Sequence, residues 1–211
     1  MCVGILGNKI GMTQVFDQNG KTIPVSILRV GPCFVTQVKT VSKDGYDAIQ
    51  VGYLNLKENS RKSKKPIIGH FKSANILPLK HLKEYLVSNP SEYSLGQSLK
   101  VDVFKKGIKV DITGFTIGKG FAGNQKRNNF KRGPMTHGSK NHRAPGSIGS
   151  STGTARVFPG KRMAGHLGNC KRTIKNLEII DINLEQNLII VKGSVPGKNG
   201  NLLSIRYSKV Q

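Results

Sequence analysis

Apolar and polar residues alternate through most of the first 56 positions, and this period of two indicates half-buried β-strands. The segments GMTQVF and TIPVSILRV flank Asn19-Gly20, and the segments CFVTQVKTV and YDAIQVGYL flank Asp44-Gly45. Asn-Gly and Asp-Gly favour tight hairpin turns, because the central residues of such turns need a positive φ. The pattern therefore predicts a meander of antiparallel strands in residues 1–56.

Residues 57–97 depart from this pattern. They begin with the polar, basic segment KENSRKSKK and continue with PIIGHFKSANILPLKHLKEYLV, whose apolar spacing predicts one short helix and a strand near Tyr85. We interpret residues 57–97 as a small mixed α/β insertion. Alternation returns in SLKVDVF and IKVDITGFTI, so residues 98–117 are predicted to be strands again.

The alternation stops after Ile117. Residues 118–175 sustain neither a period of two nor one of 3.6, glycines recur every few positions, and three prolines interrupt the chain. Compact domains seldom contain an irregular segment of this length. We therefore predict a basic, Gly-rich extension over residues 118–175, followed by C-terminal strands in residues 176–211.

The net charge of the chain indicates what kind of partner the protein binds. The sequence of 211 residues contains 34 Lys and Arg against 11 Asp and Glu, which gives a formal net charge of +23. Self-repulsion of this size destabilises a compact protein unless a polyanion neutralises it, so nucleic acid is the predicted partner. No apolar run approaches the roughly 20 residues that span a bilayer, and we predict no membrane partner.

The positive charge is concentrated in the extension. Residues 112–177 contain thirteen Lys or Arg and no Asp or Glu, with Phe121, Phe130 and Phe158 interleaved. A solvated surface usually mixes charges of both signs, and a disordered linker rarely keeps aromatic residues. Glycine lets a backbone approach phosphates, and arginine can hydrogen-bond to phosphate or stack on a base. The composition thus predicts a segment that folds against RNA.

Two patterns could indicate an enzyme instead. Gly118, Gly120 and Gly123 match the GxGxxG dinucleotide fingerprint, but no apolar helix follows them and the next acidic residue is Glu178, well beyond the required spacing of about 20 residues. We therefore do not predict a dinucleotide site.

Histidines are the second pattern. His137, His142 and His166 have no carboxylate nearby in sequence and match no zinc spacing, unless the fold brings Asp17 or Glu178 beside them. No catalytic residue, metal site or cofactor is predicted, and these histidines are interpreted as groups that stack on RNA or contact phosphate.

The three cysteines do not indicate disulfide bonds. Cys2, Cys33 and Cys170 are scattered and form no CxxC pair. They are predicted to be small buried or half-buried apolar side chains in a reducing compartment.

Long segments of the chain resemble a known family. FKKGIKVDITGFTIGKGFAGNQKR, THGSKNHRAPGSIG and GKRMAGHLGN closely resemble the universal large-subunit ribosomal protein three family, and GILGNKIGMTQVF is similar to the start of its members. The resemblance covers essentially the whole chain in order. It implies a mainly β (α+β) fold: a split β-barrel of the translation-factor type made by residues 1–56, 98–117 and 176–211, with the small mixed insertion and a long irregular rRNA-threading extension.

The resemblance also implies a function. Members are structural constituents of the large ribosomal subunit and are not enzymes. They bind large-subunit rRNA directly, support early subunit assembly and send the extension toward the peptidyl transferase centre. The partners implied here are large-subunit rRNA and neighbouring large-subunit ribosomal proteins, with no small-molecule substrate and no cofactor.

Positions in the motifs can be carried over to this chain. The rRNA-binding residues implied are Lys9, Lys119, Lys126, Arg127, Lys131, Arg132, His137, Lys140, Asn141, His142, Arg143, Arg156, Lys161, Arg162, Lys171 and Arg172. The tip of the extension, implied to lie near the peptidyl transferase centre, includes Asn141, Pro145, Gly146, Ser147, Gly149 and Ser150.

One position departs from the family, and other features suggest a source. Some bacterial members have a methylated glutamine directly after GSIG, whereas Ser150 stands there in this chain, so that modification cannot occur.

The compact length, the GPCFVTQVKT run and the abundance of Asn, Lys and Ile resemble plastid-encoded and cyanobacterial members. The predicted location is the plastid (chloroplast) ribosome, plastid-encoded, with the bacterial cytoplasm as the alternative.

Two other functions compete with a structural rRNA-binding role. In an RNA-modifying enzyme, the basic loop would deliver substrate to a site on the strands, and a carboxylate, cysteine or metal cluster would stand at strand ends. A nucleic-acid chaperone would remain free in solution. Sedimentation with the large subunit separates a ribosomal protein from both.

Overall fold

A computed structural model describes residues 4–56 and 64–208 of the chain. The fold is mainly β, as the sequence predicts, and it divides into two compact units, one containing the described residues up to Phe115 and from Lys171 onward, the other Thr116–Cys170. The strands are β1 (Ile5–Phe16), β2 (Thr22–Val30), β3 (Cys33–Lys39), β4 (Ala48–Asn55), β5 (Leu79–Leu86), β6 (Ser98–Leu99), β7 (Lys109–Phe115), β8 (Phe121–Ala122), β9 (Gly165–His166), β10 (Lys171–Asn183), β11 (Leu188–Lys192) and β12 (Leu202–Tyr207). The helices are α1 (Val41–Asp44), α2 (Lys65–Lys72) and α3 (Asn124–Asn128), with 3₁₀ turns at Pro90–Glu92 and Val101–Val103.

Six strands of the larger unit close into a barrel in the order β1-β12-β7-β10-β11-β2. Each neighbouring pair is antiparallel. Alternation explains the inside of the barrel: Val110 and Ile112 of β7 are fully buried, whereas Asp111 and Thr113 between and beside them are only half-buried. The predicted hairpin at Asn19-Gly20 is confirmed by the pairing of β1 with β2.

The strands β3 and β4 do not belong to the barrel, which differs from the assignment of residues 1–56. They form a second sheet in the order β5-β4-β3-β6. Ala48, Ile49, Val51, Gly52 and Tyr53 of β4 are all buried, so this strand is covered on both faces, as the middle of a sheet between packed layers must be. Alternation reveals a strand but not the sheet that the strand joins, because pairing is decided by distant residues.

The connection between β3 and β4 is longer than a two-residue turn. The hairpin predicted around Asp44-Gly45 is present, but the helical turn α1 lies within it and ends at Gly45, whose φ is 82°. A positive φ at this position favours glycine, because a Cβ would collide with the backbone.

The segment after β4 contains the predicted helix and strand, α2 and β5, with Tyr85 in β5. Residues 57–63 of the basic segment, and Cys2, lie outside the described residues. The alternation of Leu99, Val101 and Val103 was expected to make one strand; instead β6 ends at Leu99 and a 3₁₀ turn follows, closed by a hydrogen bond from the Phe104 amide to the Val101 carbonyl at 2.9 Å. Three alternating residues are too few to distinguish these two outcomes.

The smaller unit, Thr116–Cys170, is inserted in sequence between β7 and β10. Within it only Ala122 and Asn124 are buried, and regular structure is limited to β8, α3 and β9. The strand β10 begins at Lys171, earlier than the predicted start at residue 176, because its polar first residues pair with β7 in a register where Lys171 faces Phe115. No helix in the described part of the chain is long and apolar enough to cross a membrane.

Candidate nucleic-acid interface

The smaller unit presents basic side chains that form no salt bridge with any described acidic residue. Among the described residues, all salt bridges lie in the larger unit: Lys39–Glu84, Lys106–Asp181 and Lys192–Glu178. The predicted basic residues that are exposed here are Lys119, Lys126, Arg127, Lys131, Arg132, Lys140, Arg143, Arg156, Lys161 and Arg162. Lys171 and Arg172 are also exposed, on β10. The smaller unit therefore has a high density of exposed positive charge.

The two ends of the smaller unit run side by side as a hydrogen-bonded ribbon. The amide of Thr116 donates to the Cys170 carbonyl at 3.0 Å, that of Lys119 to Leu167 at 2.9 Å, and that of Leu167 to Gly120 at 2.9 Å. Gly168 has φ +78°, and a Cβ there would collide with the carbonyl of Ile117. Glycine at position 168 thus permits the close approach that keeps the ribbon together.

Side chains fasten α3 to the returning chain. Nη1 of Arg127 donates to the Met163 carbonyl at 2.7 Å, and the side-chain Nδ2 of Asn128 donates to the same carbonyl at 3.0 Å. A Cβ on Gly165 would come within 2.8 Å of the Arg127 guanidinium, so glycine makes room for this contact. Arg127, predicted as an rRNA contact, thus also holds the unit together.

Residues on both sides of Asn141 fold against one another. His142 shares a hydrogen bond through Nδ1 with the Pro134 carbonyl at 2.8 Å, and the Gly133 amide donates to the His142 carbonyl at 3.1 Å. Nε of Arg143 donates to Oε1 of Gln125 at 3.1 Å. His142 is half-buried, whereas His137 is exposed. Of these predicted site residues, His142 and Arg143 therefore shape the loop as well as lie on it.

The predicted tip is exposed throughout. Asn141, Pro145, Gly146, Ser147, Gly149 and Ser150 are all on the surface. Gly146 has φ +76°, a conformation that favours glycine, while an added Cβ on Gly149 would have no atom within 4 Å. The tip is thus small and sterically open, with no described residue packed over Gly149.

An exposed aromatic side chain marks the ribbon. Phe121 is 78% exposed and lies directly opposite His166, which is also exposed, in the pairing of β8 with β9. Directly opposed residues of an antiparallel pair project from the same face. The ribbon consequently presents a phenyl ring and an imidazole ring on the same face.

Lys9 departs from the predicted set of rRNA contacts. It is only 8% exposed, and its Nζ donates to the carbonyls of Val195 and Gly197, both at 3.2 Å. The ammonium group therefore binds the loop between β11 and β12. Sequence reasoning missed this role because the partners lie more than 180 residues away.

We expect Lys9→Met to lower the free energy of unfolding by about 1–3 kcal/mol, since two carbonyls lose their buried donor. The salt dependence of RNA binding should be the same in this variant as in the wild-type protein. Urea unfolding and RNA titration measure the two quantities, with Lys21→Met, an exposed lysine at the β1–β2 turn, as the matched control. If the Lys9→Met variant had wild-type stability and a weaker salt dependence, Lys9 would instead be a contact to RNA.

The described residues contain no arrangement typical of an enzyme site. Burial raises the pKa of Cys33 to about 12, and its Sγ donates to the Leu6 carbonyl at 3.4 Å, so the thiol stays protonated. Cys170 is exposed, contrary to the prediction of a buried or half-buried side chain, and its Sγ lies 3.4 Å from Oγ1 of Thr116. No three His, Cys, Asp or Glu side chains converge in a way that could hold a metal within residues 4–56 and 64–208.

The glycine fingerprint lacks the structure that a dinucleotide needs. The strand β8 lies inside the motif, between Gly120 and Gly123, and pairs antiparallel with β9. The helix that follows, α3, has five residues. A dinucleotide site requires the motif between a parallel strand and a longer helix, and this geometry is different.

Comparison with known proteins supplies independent information. Residues 91–187 match a family described as "Ribosomal protein L3". The chain is 61% identical over 205 residues to large ribosomal subunit protein uL3c of Phaeodactylum tricornutum, covering 97% of this chain and 98% of that protein. It is 57% identical over 209 residues to uL3 of the cyanobacterium Trichormus variabilis, covering 99% and 98%. Identity to uL3c of Porphyra purpurea is 54% over 205 residues, covering 97% and 99%.

Proposed function

Because the chain belongs to the ribosomal protein L3 family, we propose that it binds large-subunit rRNA directly through Thr116–Cys170, supports early assembly of the subunit, and places its tip near the peptidyl transferase centre. As a member of this family it is a structural protein of the large ribosomal subunit, not an enzyme. It works in translation within a plastid or bacterial ribosome.

The observation that carries the proposal is the unneutralised charge of the smaller unit. Exposed lysines and arginines in a segment without any carboxylate repel each other in the unbound protein, and phosphates remove that repulsion. Each phosphate contact also releases counterions from the RNA, which favours binding. A solvent-exposed surface with no polyanionic partner gains nothing from such a composition.

Some residues of Thr116–Cys170 fix its backbone, and others remain available to contact RNA. Hydrogen bonds from Arg127 and Asn128 to Met163 fix the backbone, while neighbouring cations remain exposed for phosphates. The opposed rings of Phe121 and His166 form a surface on which unpaired bases can stack. The small, open tip fits between RNA segments by shape rather than by charge alone.

Finer expectations from the family resemblance belong to the same proposal. The six-stranded barrel is of the translation-factor type, and β5, together with β3, β4 and β6, forms a small sheet outside it. Neighbouring large-subunit proteins are further partners. The identity to uL3c of a diatom and a red alga supports a plastid-encoded chain in the plastid ribosome.

Sedimentation tests the proposal. Nearly all of the protein should travel with the large subunit after a salt wash that strips loosely bound proteins, because many phosphate contacts dissociate together only at high salt. Extract from cells that express a tagged chain is separated on sucrose gradients before and after the wash. A mostly soluble pool would contradict the proposal and favour a chaperone.

A further inference from the structure

Two basic side chains lie over one buried tyrosine ring in the larger unit. The Tyr85 hydroxyl is 2.8 Å from Oγ of Ser204 on β12, and this contact fixes the ring in place. Cζ of Arg206 lies 4.7 Å from the ring centroid, and Nζ of Lys83 lies 5.6 Å from it. The two charges are therefore no more than about 10 Å apart, which is one Debye length at 0.1 M salt, so they repel each other.

A cavity lies beside the Lys83 side chain. Its volume is about 220 Å³, and it is lined by Lys83, by a third cation, Lys171 of β10, and by the hydroxyl-bearing Thr113 and Ser204. One water molecule needs only roughly 10–15 Å³ of such a volume, so the cavity has room for a small added group. Ammonium and hydroxyl groups can donate hydrogen bonds to the oxygens of an anion there.

No described carboxylate forms a salt bridge with any of these three cations. Glu84, the neighbour of Lys83 in sequence, forms its salt bridge with Lys39 at 2.8 Å. Asp111 lies opposite Arg206 in the β7–β12 register, but its Oδ1 accepts the Asn176 amide at 2.9 Å. The described residues thus provide the cavity with cations and hydroxyl groups but with no paired anion.

The surroundings of Lys83 favour its neutral amine. Partial burial, and then the positive charges of Arg206 and Lys171, lowers the pKa of Lys83 from 10.5 to about 8. On β4, the residue opposite Lys83 is Val51, which carries no charge to offset these cations. Near neutral pH, this shift makes the share of neutral amine on the order of a hundred times larger. A neutral amine has a free lone pair and is a nucleophile.

We propose that Lys83 is a modification site for carbon dioxide, and that Arg206 and Lys171 hold the carbamate anion that forms there. The lone pair of Nζ attacks the carbon atom of carbon dioxide, and an N–C bond forms. One electron pair of a C=O bond moves to its oxygen, and the nitrogen loses a proton to water. The addition has no leaving group and needs no oxidant or reductant. It replaces a repelling cation with an anion that both neighbours attract.

The cations select a carbamate over a neutral acyl group. An acyl group would remove the charge of Lys83 but would give Arg206 and Lys171 no anionic partner. A carbamate has two oxygens in the planar arrangement of a carboxylate, which a guanidinium group can bind with two parallel hydrogen bonds. The inference goes beyond the proposed function and does not rest on it, because it concerns the protein free of RNA.

Carbon dioxide labelled with carbon-13 tests the site in the purified full-length chain without RNA. The protein is equilibrated with labelled bicarbonate buffer at about pH 8, near the pKa of Lys83. A trialkyloxonium salt then converts the labile carbamate to a stable ester, and mass spectrometry with peptide fragmentation assigns the label to a residue. The assignment is necessary because the α-amino group, whose ordinary pKa is also about 8, forms a carbamate as well.

We expect Lys83 to carry about tenfold more label than Lys80, an exposed lysine on the same strand, because far more of its amine is neutral. The label on Lys83 should fall as the pH is lowered through about 8, since the ammonium form has no lone pair. In Arg206→Gln the label on Lys83 should fall about three- to tenfold, because the carbamate loses a partner and the amine regains protons. Arg29→Gln, the same change at an exposed arginine of β2, should leave it unchanged.

Equal label on Lys83 and Lys80 would overturn the proposal, since carbon dioxide would then react with any accessible lysine. Label confined to the α-amino group would overturn it too. If Arg206→Gln and Arg29→Gln both retained the wild-type label on Lys83, the neighbouring cations would not hold the carbamate, and the site as described would be wrong. The comparison of Lys83 with Lys80 is made in the wild-type chain, so it requires no variant to fold and does not depend on whether Thr116–Cys170 binds rRNA.

Discussion

Gly149→Asp is expected to impair assembly of the large subunit while leaving the protein folded. The position is exposed, a side chain there meets no atom within 4 Å, and its φ is not in the left-handed region, so the isolated chain accepts the substitution. Any loss of function should therefore come from the partner that the tip meets in the subunit, which we propose to be rRNA. A carboxylate that faces phosphates introduces like-charge repulsion, which costs several kcal/mol in a close interface.

The measurement is made with the variant as the only copy in the cell. Growth, the ratio of subunits on gradients and the response to drugs of the peptidyl transferase centre should all change. Gly69→Asp on α2 is the matched control, because Gly69 is also exposed and also has open space around its Cβ position. Indistinguishable behaviour of the two variants would show that the tip does not hold RNA.

Neutralising six exposed cations of the smaller unit is expected to remove most of the affinity for rRNA. About six phosphate contacts give a slope of log affinity against log salt of roughly −4 to −5, and their loss should reduce affinity by a factor on the order of 10³ or more at moderate salt. None of the six side chains forms a salt bridge in the described part of the chain, so folding should be retained. The substitutions to glutamine are at Lys119, Lys126, Lys131, Arg132, Lys140 and Lys161.

A second variant keeps the same change in net charge but places it elsewhere. Six exposed lysines of the larger unit are replaced by glutamine, at Lys21, Lys43, Lys65, Lys72, Lys100 and Lys105. Binding to transcribed large-subunit rRNA is titrated at several salt concentrations for both variants. If this second variant loses as much slope as the first, affinity depends on total charge and not on Thr116–Cys170.

Features set by neighbouring residues could be predicted from the sequence. The Asn19-Gly20 hairpin needs only a local turn between two alternating segments, and the helix and strand after residue 64 also follow from short-range spacing. The extension was visible because acidic residues disappear from residues 112–177. These signals do not depend on how distant parts of the chain meet.

Features set by distant residues could not be predicted. Lys9 resembles any other lysine of a strand until the loop that contains Val195 and Gly197 is placed beside it. The separate sheet of β3 and β4 likewise depends on β5 and β6. The spacing of two places Lys83 and Tyr85 on one face of β5, and Lys83 lies over the Tyr85 ring. Arg206 also lies over that ring, but it comes from β12 and could not be placed there from the sequence.

The closed barrel also has a consequence for aggregation. A barrel has no unpaired strand edge that another chain could extend, and among the described strands such edges remain on the four-stranded sheet and on the two-residue strands β8 and β9. One edge of that sheet, β6, is only two residues long, and the other, β5, carries Lys80, Lys83 and Glu84. Short and charged edges oppose the addition of further strands. Copies that wait for rRNA are thus protected against sheet-to-sheet association during the interval before they join a ribosome.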